Sequence, residues 1–489
     1  MEENMNTLKT YLNYINGQWV TSRTGKTAKN INPATQEEIA WVQQSGETDM
    51  QDAIGAANLA FNGSNWRSNS ALRTQALMKF AVRLAEQKES LARLYTLNNG
   101  KTINEARGEL SGSIDMIQYL AGQARMIFGR SIDPAENIMS VIVREPIGVV
   151  GIISPWNWPV QLMLRDMIPA LAAGNAVVVK PASITAAISM EVIKVLSEVA
   201  EIPAGIVNVV TGPGALIGEF MAKSPAIDMI GFTGDNLTGQ RITEHAAKTI
   251  KKLTLELGGK SPNILFADAD LTKAIPAAIR GAFTTSGQMC MAGTRLVVQD
   301  TIFEEVIAKL KQETAKLKVG NGLDERNFMG PLISKKQLDL VLEYIELGKT
   351  EGKLVCGGYR LTGKGYDEGF YVAPTIFAEL SAHSKLVQKE IFGPVLVVQK
   401  FHLEAEAVQI ANDTRYGLVA AVWTKDVDRA LRVARAIKAG TVWVNAYFKL
   451  FNQTEGGGYK ASGIGRARGE DGILEFTEIK HLCLNIESN

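Results

Sequence analysis

Cysteine is scarce in this sequence of 489 residues: Cys290, Cys356 and Cys483 are all it has. The count is odd, the spacings are wide and no CxxC pair occurs. That argues against a disulfide framework and points to a reducing compartment, the cytoplasm. Four histidines are scattered without HExxH or comparable spacing, so no metal site is expected. Neither sign of charge dominates. The chain carries 52 Lys and Arg against 51 Asp and Glu, mixed along its length, for a net charge of +1. No basic patch for nucleic acid and no polybasic membrane anchor is expected. The N-terminal stretch lacks the basic and apolar regions of a signal peptide. The one long uncharged run, residues 146–164, has the length of a membrane span. Pro155 and Pro159 would break such a helix and Asn157 would lie in lipid, so a buried strand followed by a loop is expected instead.

What remains is globular. The hydrophobic share is 46% and the charged share 21%, and the length predicts two or three domains. From about residue 50 to 125, apolar residues recur at three-four spacing with charges between, which predicts helices, the second run stopping at Gly100. Short apolar runs then alternate with helical stretches. IGVVGII (147–153), AVVVK (176–180), IVNVV (206–210) and AIDMIGF (226–232) recur at the length of a βα unit and end in SPWNWP, PAS, TGPG and TGD. Continuous β-branched runs suit strands buried on both faces of a parallel sheet. A doubly wound, Rossmann-like α/β fold follows, with ligands at the carboxyl ends of the strands. A second α/β block runs from about 257 to 450. Residues 130–146 read as an exposed hairpin arm and HLCLNIE near the end as a short strand, both suited to oligomer contacts.

Four local patterns carry chemistry. In Ser286-Gly287-Gln288-Met289-Cys290, the glycine allows a sharp turn that presents a thiol with its own amide exposed. A thiolate attacks an aldehyde carbon well, and the thioester that follows hydrolyses readily. A buried structural cysteine is the commoner fate of such a residue. In LTLELGGK (253–260), alternation separates Glu256 from a leucine stripe and sets it at a strand end before a Gly-Gly break. That suits a general base, or else a solvated edge carboxylate. In Pro155-Trp156-Asn157-Trp158-Pro159, the Asn157 amide can donate to an oxyanion, or the segment is a packing corner. Gly212 to Gly218 forms GxGxxxG after a strand, a weak phosphate-loop signal on its own.

Taken together, ISPWNWP (153–159), ALAAGN (170–175), VVVKPAS (177–183), GFTG (231–234), LELGGKSP (255–262), GQMC (287–290), EIFGPVL (390–396) and GGYKASGIGR (457–466) resemble the aldehyde dehydrogenase superfamily in order and spacing. The likeness, to non-acylating members of the betaine-aldehyde and semialdehyde type, runs from near residue 15 to near residue 480. It implies an NAD(P)-binding domain (residues 1–129 and 147–256), a catalytic domain (257–450) and an oligomerisation arm (130–146 and 470–489), assembled as a dimer or tetramer. It implies Cys290 as nucleophile, Asn157 with the Cys290 amide as oxyanion hole, and Glu256 as the base that activates water. Ile153, Pro155, Trp156, Asn157, Lys180, Ser183, Gly212, Gly218, Phe232, Thr233, Gly234, Asp235, Leu257, Glu390 and Phe392 match positions that line NAD or NADP.

Several positions depart from the family pattern. Ser183 stands where NAD-preferring members carry Glu, which removes repulsion of a 2′-phosphate. Asp235 stands where Ser is usual, and its expected role is to cap the following helix. Arg165-Asp166 replace Trp-Lys, Thr284 replaces an aromatic, and Glu455-Gly456 replace Pro-Phe. Members acting on carboxylate-bearing semialdehydes carry Arg at the place of Arg165, where it would pair with the acid, the alternative being a local ion pair. Arg165, Thr284 and Tyr447 are the expected substrate-pocket residues, with a small-molecule aldehyde as partner and neither nucleic acid nor membrane. Two readings compete: a CoA-acylating enzyme, and a non-catalytic protein on the same fold.

Overall fold

A computed structural model describes residues 8–486. The ends of the first domain and of the arm, residues 1–7 and 487–489, lie outside the described residues. Five parallel strands, Val149–Ile153, Ala176–Lys180, Val207–Val209, Met229–Thr233 and Lys252–Glu256, form the middle of an eight-stranded sheet. Four of the five are buried along their whole length, as their β-branched runs require. Chain order reverses between Val149–Ile153 and its two neighbours, Ala176–Lys180 and Met229–Thr233. The crevice at this switch point is where ligands bind on such sheets.

Two parts of this sheet were not legible beforehand. An N-terminal hairpin, Asn13–Ile15 with Gln18–Val20, extends one edge, pairing Tyr14 with Val209. At the other edge Gly463–Ile464 returns from far along the chain to pair antiparallel with Leu255 and Glu256. The second block forms its own seven-stranded sheet from strands between Pro262 and Val444, six of them paired in parallel. It includes Val419–Trp423 and the antiparallel edge Lys353–Cys356, neither of which stood out in the sequence.

The helical region holds four helices, Glu47–Gly63, Ser70–Glu86, Lys88–Asn99 and Ile103–Gln123. The periodic run ending at Gly100 is two helices broken at Gln87, with Gly100 as the left-handed cap at φ 87°. The uncharged run 146–164 is a strand, a short loop and then a helix, Pro159–Ala173. Pro159 sits at the first helical position, where its fixed φ and missing N–H cost nothing, so it starts a helix instead of extending the loop. No described helix is long and apolar enough to cross a membrane. The hairpin Arg130–Ala135 and Ile138–Pro146 does not wait alone for a partner. The nine-residue strand Thr477–Asn485 pairs along Ile138–Pro146, making a three-stranded sheet.

Candidate active site

The helix Leu271–Phe283 leads into the segment that carries Cys290, which turns through three left-handed residues: Thr285 at φ 53°, Ser286 at 57° and Gly287 at 70°. A Cβ on Gly287 would lie 2.2 Å from the Gly393 carbonyl oxygen, so this position needs glycine for space as well as for φ. Thr285 and Ser286 carry strain that their neighbours must hold. The Thr285 N–H donates to Glu105 Oε1 at 2.6 Å, and Ser286 Oγ donates to the Gly330 carbonyl at 2.8 Å. Cys290 emerges on the wall of a cavity of about 840 Å³, counting its open mouth, together with Asn157 and Glu256.

Glu256 ends the strand Lys252–Glu256, and the Gly-Gly break after it has a steric purpose. A Cβ at Gly259 would lie 2.3 Å from the Cys290 carbonyl oxygen, and one at Gly258 would lie 2.3 Å from Glu390 Oε2. The two glycines let Glu256, Cys290 and Glu390 share one corner. Glu390 Oε1 accepts the Gly259 N–H at 3.1 Å. Asn157 is buried, and its Nδ2 donates to the Gln288 carbonyl at 3.0 Å, which ties the Trp-Asn-Trp loop to the nucleophile loop. Asn99 Nδ2 holds the same loop through the Trp156 carbonyl at 2.7 Å.

Helix Ile103–Gln123 braces both loops. Glu105 caps its own helix through the Thr102 N–H and reaches across to Thr285. One turn on, Glu109 Oε1 accepts the Gln161 N–H at 3.0 Å, three residues after Trp158. Glu109 is fully buried with Lys101, and the Lys101 ammonium also lies 4.5 Å from the Trp158 ring centroid.

Burial pushes the Cys290 thiol up to about 12, with Glu390 and Glu256 adding to the rise and Arg165 opposing it. Burial also raises the Glu256 carboxyl, again against Arg165. Burial lifts Glu390 to about 7 and lowers Lys180 to about 8.

The positions expected to line a dinucleotide gather at the strand ends. Ile153, Lys180, Thr233 and Glu256 end four of the parallel strands. Phe232 and Leu257 are buried beside them, Leu257 packing on Gly239. Pro155 is half-buried. Trp156 meets Phe392 edge to face at 5.3 Å. A Cβ on Gly234 would run into the Phe232 ring, and one on Gly218 would lie 3.7 Å from Ile153 Cδ1. After Val207–Val209 the glycine-rich segment ends in a π-type turn, Gly214–Gly218, and a Cβ on Gly214 would be 3.6 Å from Lys180 Nζ. Ser183 Oγ donates to the Gly212 carbonyl at 2.7 Å, linking the two loops. Asp235 caps Asn236–Ala247, accepting the Thr238 N–H at 3.0 Å and its hydroxyl at 2.7 Å.

Of the three substrate-pocket expectations, only Arg165 lines the cavity. Thr284 caps the end of the helix Leu271–Phe283 and Tyr447 packs against Gly281 and Gly293 with its hydroxyl donating to the Met291 carbonyl. Neither borders the cavity; Phe448, Gln161 and Arg468 do, and the sequence reading missed all three. Gln161 lies two residues beyond the PWNWP motif and Phe448 follows Tyr447, so adjacency alone pointed to them. Arg468 follows the GIGR motif with no signal of its own.

This geometry, a thiol and a carboxylate on one cavity wall beside a nucleotide-type crevice, defines an enzyme that works on carbonyl carbon through a covalent intermediate. The model of the aldehyde dehydrogenase family matches residues 19–482. The chain is 42% identical over 475 residues to a betaine aldehyde dehydrogenase of Bacillus subtilis (strain 168), covering 96% of this chain and 97% of that protein. It is 41% identical over 478 residues to aldehyde dehydrogenase 1A1 of Rattus norvegicus, covering 97% and 94%. A crystal structure of betaine aldehyde dehydrogenase from Staphylococcus aureus in complex with NAD+ superposes with a TM-score of 0.96 at 38% identity, covering 98% of this chain and 95% of that one. The chain belongs to the aldehyde dehydrogenase family, enzymes that oxidise aldehydes to acids with a nicotinamide dinucleotide.

Proposed function

We propose that Cys290, its thiol proton passing to solvent, attacks the aldehyde carbon and that Asn157, with the Cys290 N–H, holds the resulting oxyanion. The second amide hydrogen of Asn157 supports this, since only one is spent on the Gln288 carbonyl. A bound nicotinamide dinucleotide would supply the hydride acceptor, the one piece of chemistry the side chains do not. Glu256 then takes a proton from water, hydroxide adds to the thioester, and the carboxylic acid leaves as the thiol is restored. The observation that carries the reading is the presence of Cys290, Glu256 and Asn157 on one cavity wall. Glu256 there favours hydrolysis over transfer to CoA.

A dinucleotide fits the residues present. Lys180 holds a buried ammonium at a strand end with no hydrogen-bond or ion-pair partner among the described residues, a natural donor to ribose or phosphate oxygens. Lys180, Ser183, Gly212 and Gly218 would hold the adenosine end; Phe232, Thr233 and Gly234 the middle; Trp156, Leu257, Glu390 and Phe392 the nicotinamide end. Ser183 places no carboxylate beside Lys180, and Asp235 is engaged in its cap, so NADP is accepted as well as NAD. In this reading residues 1–129 with 147–256 bind the dinucleotide and 257–450 carry the nucleophile. The arm exposes Ile132, Ile479, Leu482 and Leu484, an apolar face suited to a dimer or tetramer. Three unpaired cysteines suit the cytoplasm.

The test is absorbance at 340 nm with an aldehyde panel, each dinucleotide, and CoA present or absent. Acid production without CoA is expected. A large preference for NAD over NADP would overturn the cofactor proposal, and no reduced dinucleotide under any condition would overturn the enzyme assignment.

A further inference from the structure

Both carboxylate oxygens of Glu105 are spent, and on different tasks. Oε2 accepts the Thr102 N–H at 2.8 Å and the Thr102 hydroxyl at 3.0 Å, closing a capping box on the helix Ile103–Gln123. The box needs only that oxygen. Oε1 crosses to a segment 180 residues away and accepts the Thr285 N–H at 2.6 Å. Thr285 is the first of the three left-handed residues before Cys290. The start of the helix is itself pinned: the Ile103 N–H donates to the Gly322 carbonyl at 2.8 Å, and Arg107 lies 2.6 Å from Glu325.

From Thr285 the bonds run on toward Asn157. The Thr285 carbonyl accepts the Gln288 N–H at 3.0 Å and Gln288 Nε2 at 3.2 Å. The Gln288 carbonyl in turn accepts Asn157 Nδ2 at 3.0 Å. Just past Asn157 the helix Pro159–Ala173 begins, and its Gln161 N–H returns to Glu109, one turn along from Glu105. The contacts close a ring through Glu105, Thr285, Gln288, Asn157, Gln161 and Glu109. Both donors assigned to the oxyanion depend on it, since Asn157 is a member and Cys290 follows Gln288 by two residues. The weak link is Thr285, whose side chain disfavours a left-handed backbone unless its neighbours hold it. A misplacement of about 1 Å at a reacting group can cost on the order of 100-fold in rate.

We infer that Glu105 is a positioning residue for the oxyanion hole: by holding Thr285 left-handed it sets where the Cys290 N–H stands relative to Asn157. This rests on Cys290 being the nucleophile and Asn157 an oxyanion donor. Only a carboxylate of this length serves. Gln offers one acceptor oxygen to two N–H groups, so its NH2 opposes whichever donor is left. Asp, one methylene shorter, cannot keep both bonds.

The experiment measures kcat and KM with propanal and benzaldehyde, the Kd of the dinucleotide and the Tm, all in the full-length enzyme. The variants are Glu105→Gln, Asn157→Ala, the pair Glu105→Gln/Asn157→Ala and the pair Glu105→Gln/Thr285→Gly. Glu105→Gln is expected to lower kcat on the order of 10- to 100-fold while KM and Kd move less than about threefold. The loss in Glu105→Gln/Asn157→Ala should fall short of the product of the single losses by at least about fivefold, because both changes act on one oxyanion. Glycine takes the left-handed form without steric cost, so Thr285→Gly should return at least about threefold in kcat to Glu105→Gln. Should Glu105→Gln not fold, Glu105→Asp takes its place in both pairs. A lowered Tm with wild-type kcat, losses that multiply in full, or no gain from Thr285→Gly would overturn the positioning role while leaving Asn157 in the mechanism. Wild-type turnover by Asn157→Ala would instead overturn the oxyanion reading on which the role rests.

Discussion

Glu109→Gln should destabilise the enzyme far more than its conservative chemistry suggests. Glu109 and Lys101 are both fully excluded from solvent, and they bond at 2.5 Å. The same carboxylate accepts the Tyr95 hydroxyl at 2.5 Å and the Gln161 N–H at 3.0 Å. The amide oxygen can still accept the bonds from Tyr95 and Gln161, so what the variant loses is the negative charge and the acceptor that faces Lys101, leaving the Lys101 ammonium buried without a counterion. Removing one partner of such a pair costs about 3–5 kcal/mol, whereas replacing both with neutral groups of similar volume is often close to neutral. The double variant Lys101→Met/Glu109→Gln should therefore recover to within about 1 kcal/mol of wild type, a coupling far above that of independent sites. Urea unfolding of wild type, both single variants and the double, at one protein concentration, reads this directly. A single variant within about 1 kcal/mol of wild type, or a double no more stable than the sum of the singles, refutes the reasoning. The kcat of the double variant gives a second readout. If the pair also positions the Trp-Asn-Trp loop, kcat stays depressed after stability has returned, because small displacements of a donor are costly in rate.

Three further outcomes are expected. Asn157→Ala should lower kcat on the order of 100- to 1,000-fold, the usual cost of one oxyanion donor, with an unchanged far-ultraviolet spectrum; normal turnover would remove Asn157 from the mechanism. Alkylation of Cys290 in the dinucleotide-free enzyme should be slow at pH 8, where a thiol raised to about 12 is ionised to about one part in ten thousand, and should climb roughly tenfold per pH unit through pH 10; a plateau near pH 8, followed by mass spectrometry, would contradict the buried thiol. Gly287→Ala should lower kcat more than about tenfold, since the new methyl meets the Gly393 carbonyl 2.2 Å away and the left-handed backbone disfavours it by about 1–2 kcal/mol; wild-type rates would show that the turn relaxes freely.

The parallel strands were readable because burial on both faces forces uninterrupted runs such as AVVVK, whereas the edge strands were not. Gly463–Ile464 is two residues long and sits inside a glycine-rich segment, so nothing local distinguishes it from a turn. Gln87 was missed as a helix break because the apolar spacing continues across it and no Gly or Pro marks the change. In the site, the glycine reasoning identified Gly287, but the left-handed Thr285 is held by Glu105, 180 residues away in the chain, and Ser286 by the Gly330 carbonyl, and no periodicity reports such bonds. The Asp235 cap was legible because it is local, closing three residues on. Thr284 and Tyr447 were expected at the cavity on family position alone; their backbone directions send one to a helix end and the other behind Met291.

The return of Gly463–Ile464 to the first sheet sets a timetable for the newborn chain. The strand that carries Glu256 is laid down with one flank bare, and the segment that shields it is made only about 200 residues later. At roughly 5–20 residues per second, translation leaves that flank open for on the order of 10 to 40 seconds. Throughout that interval the unfinished sheet offers its ladder of N–H and C=O groups to any passing strand. Chaperone demand during synthesis, and aggregation of chains halted before residue 463, should both trace to this delay.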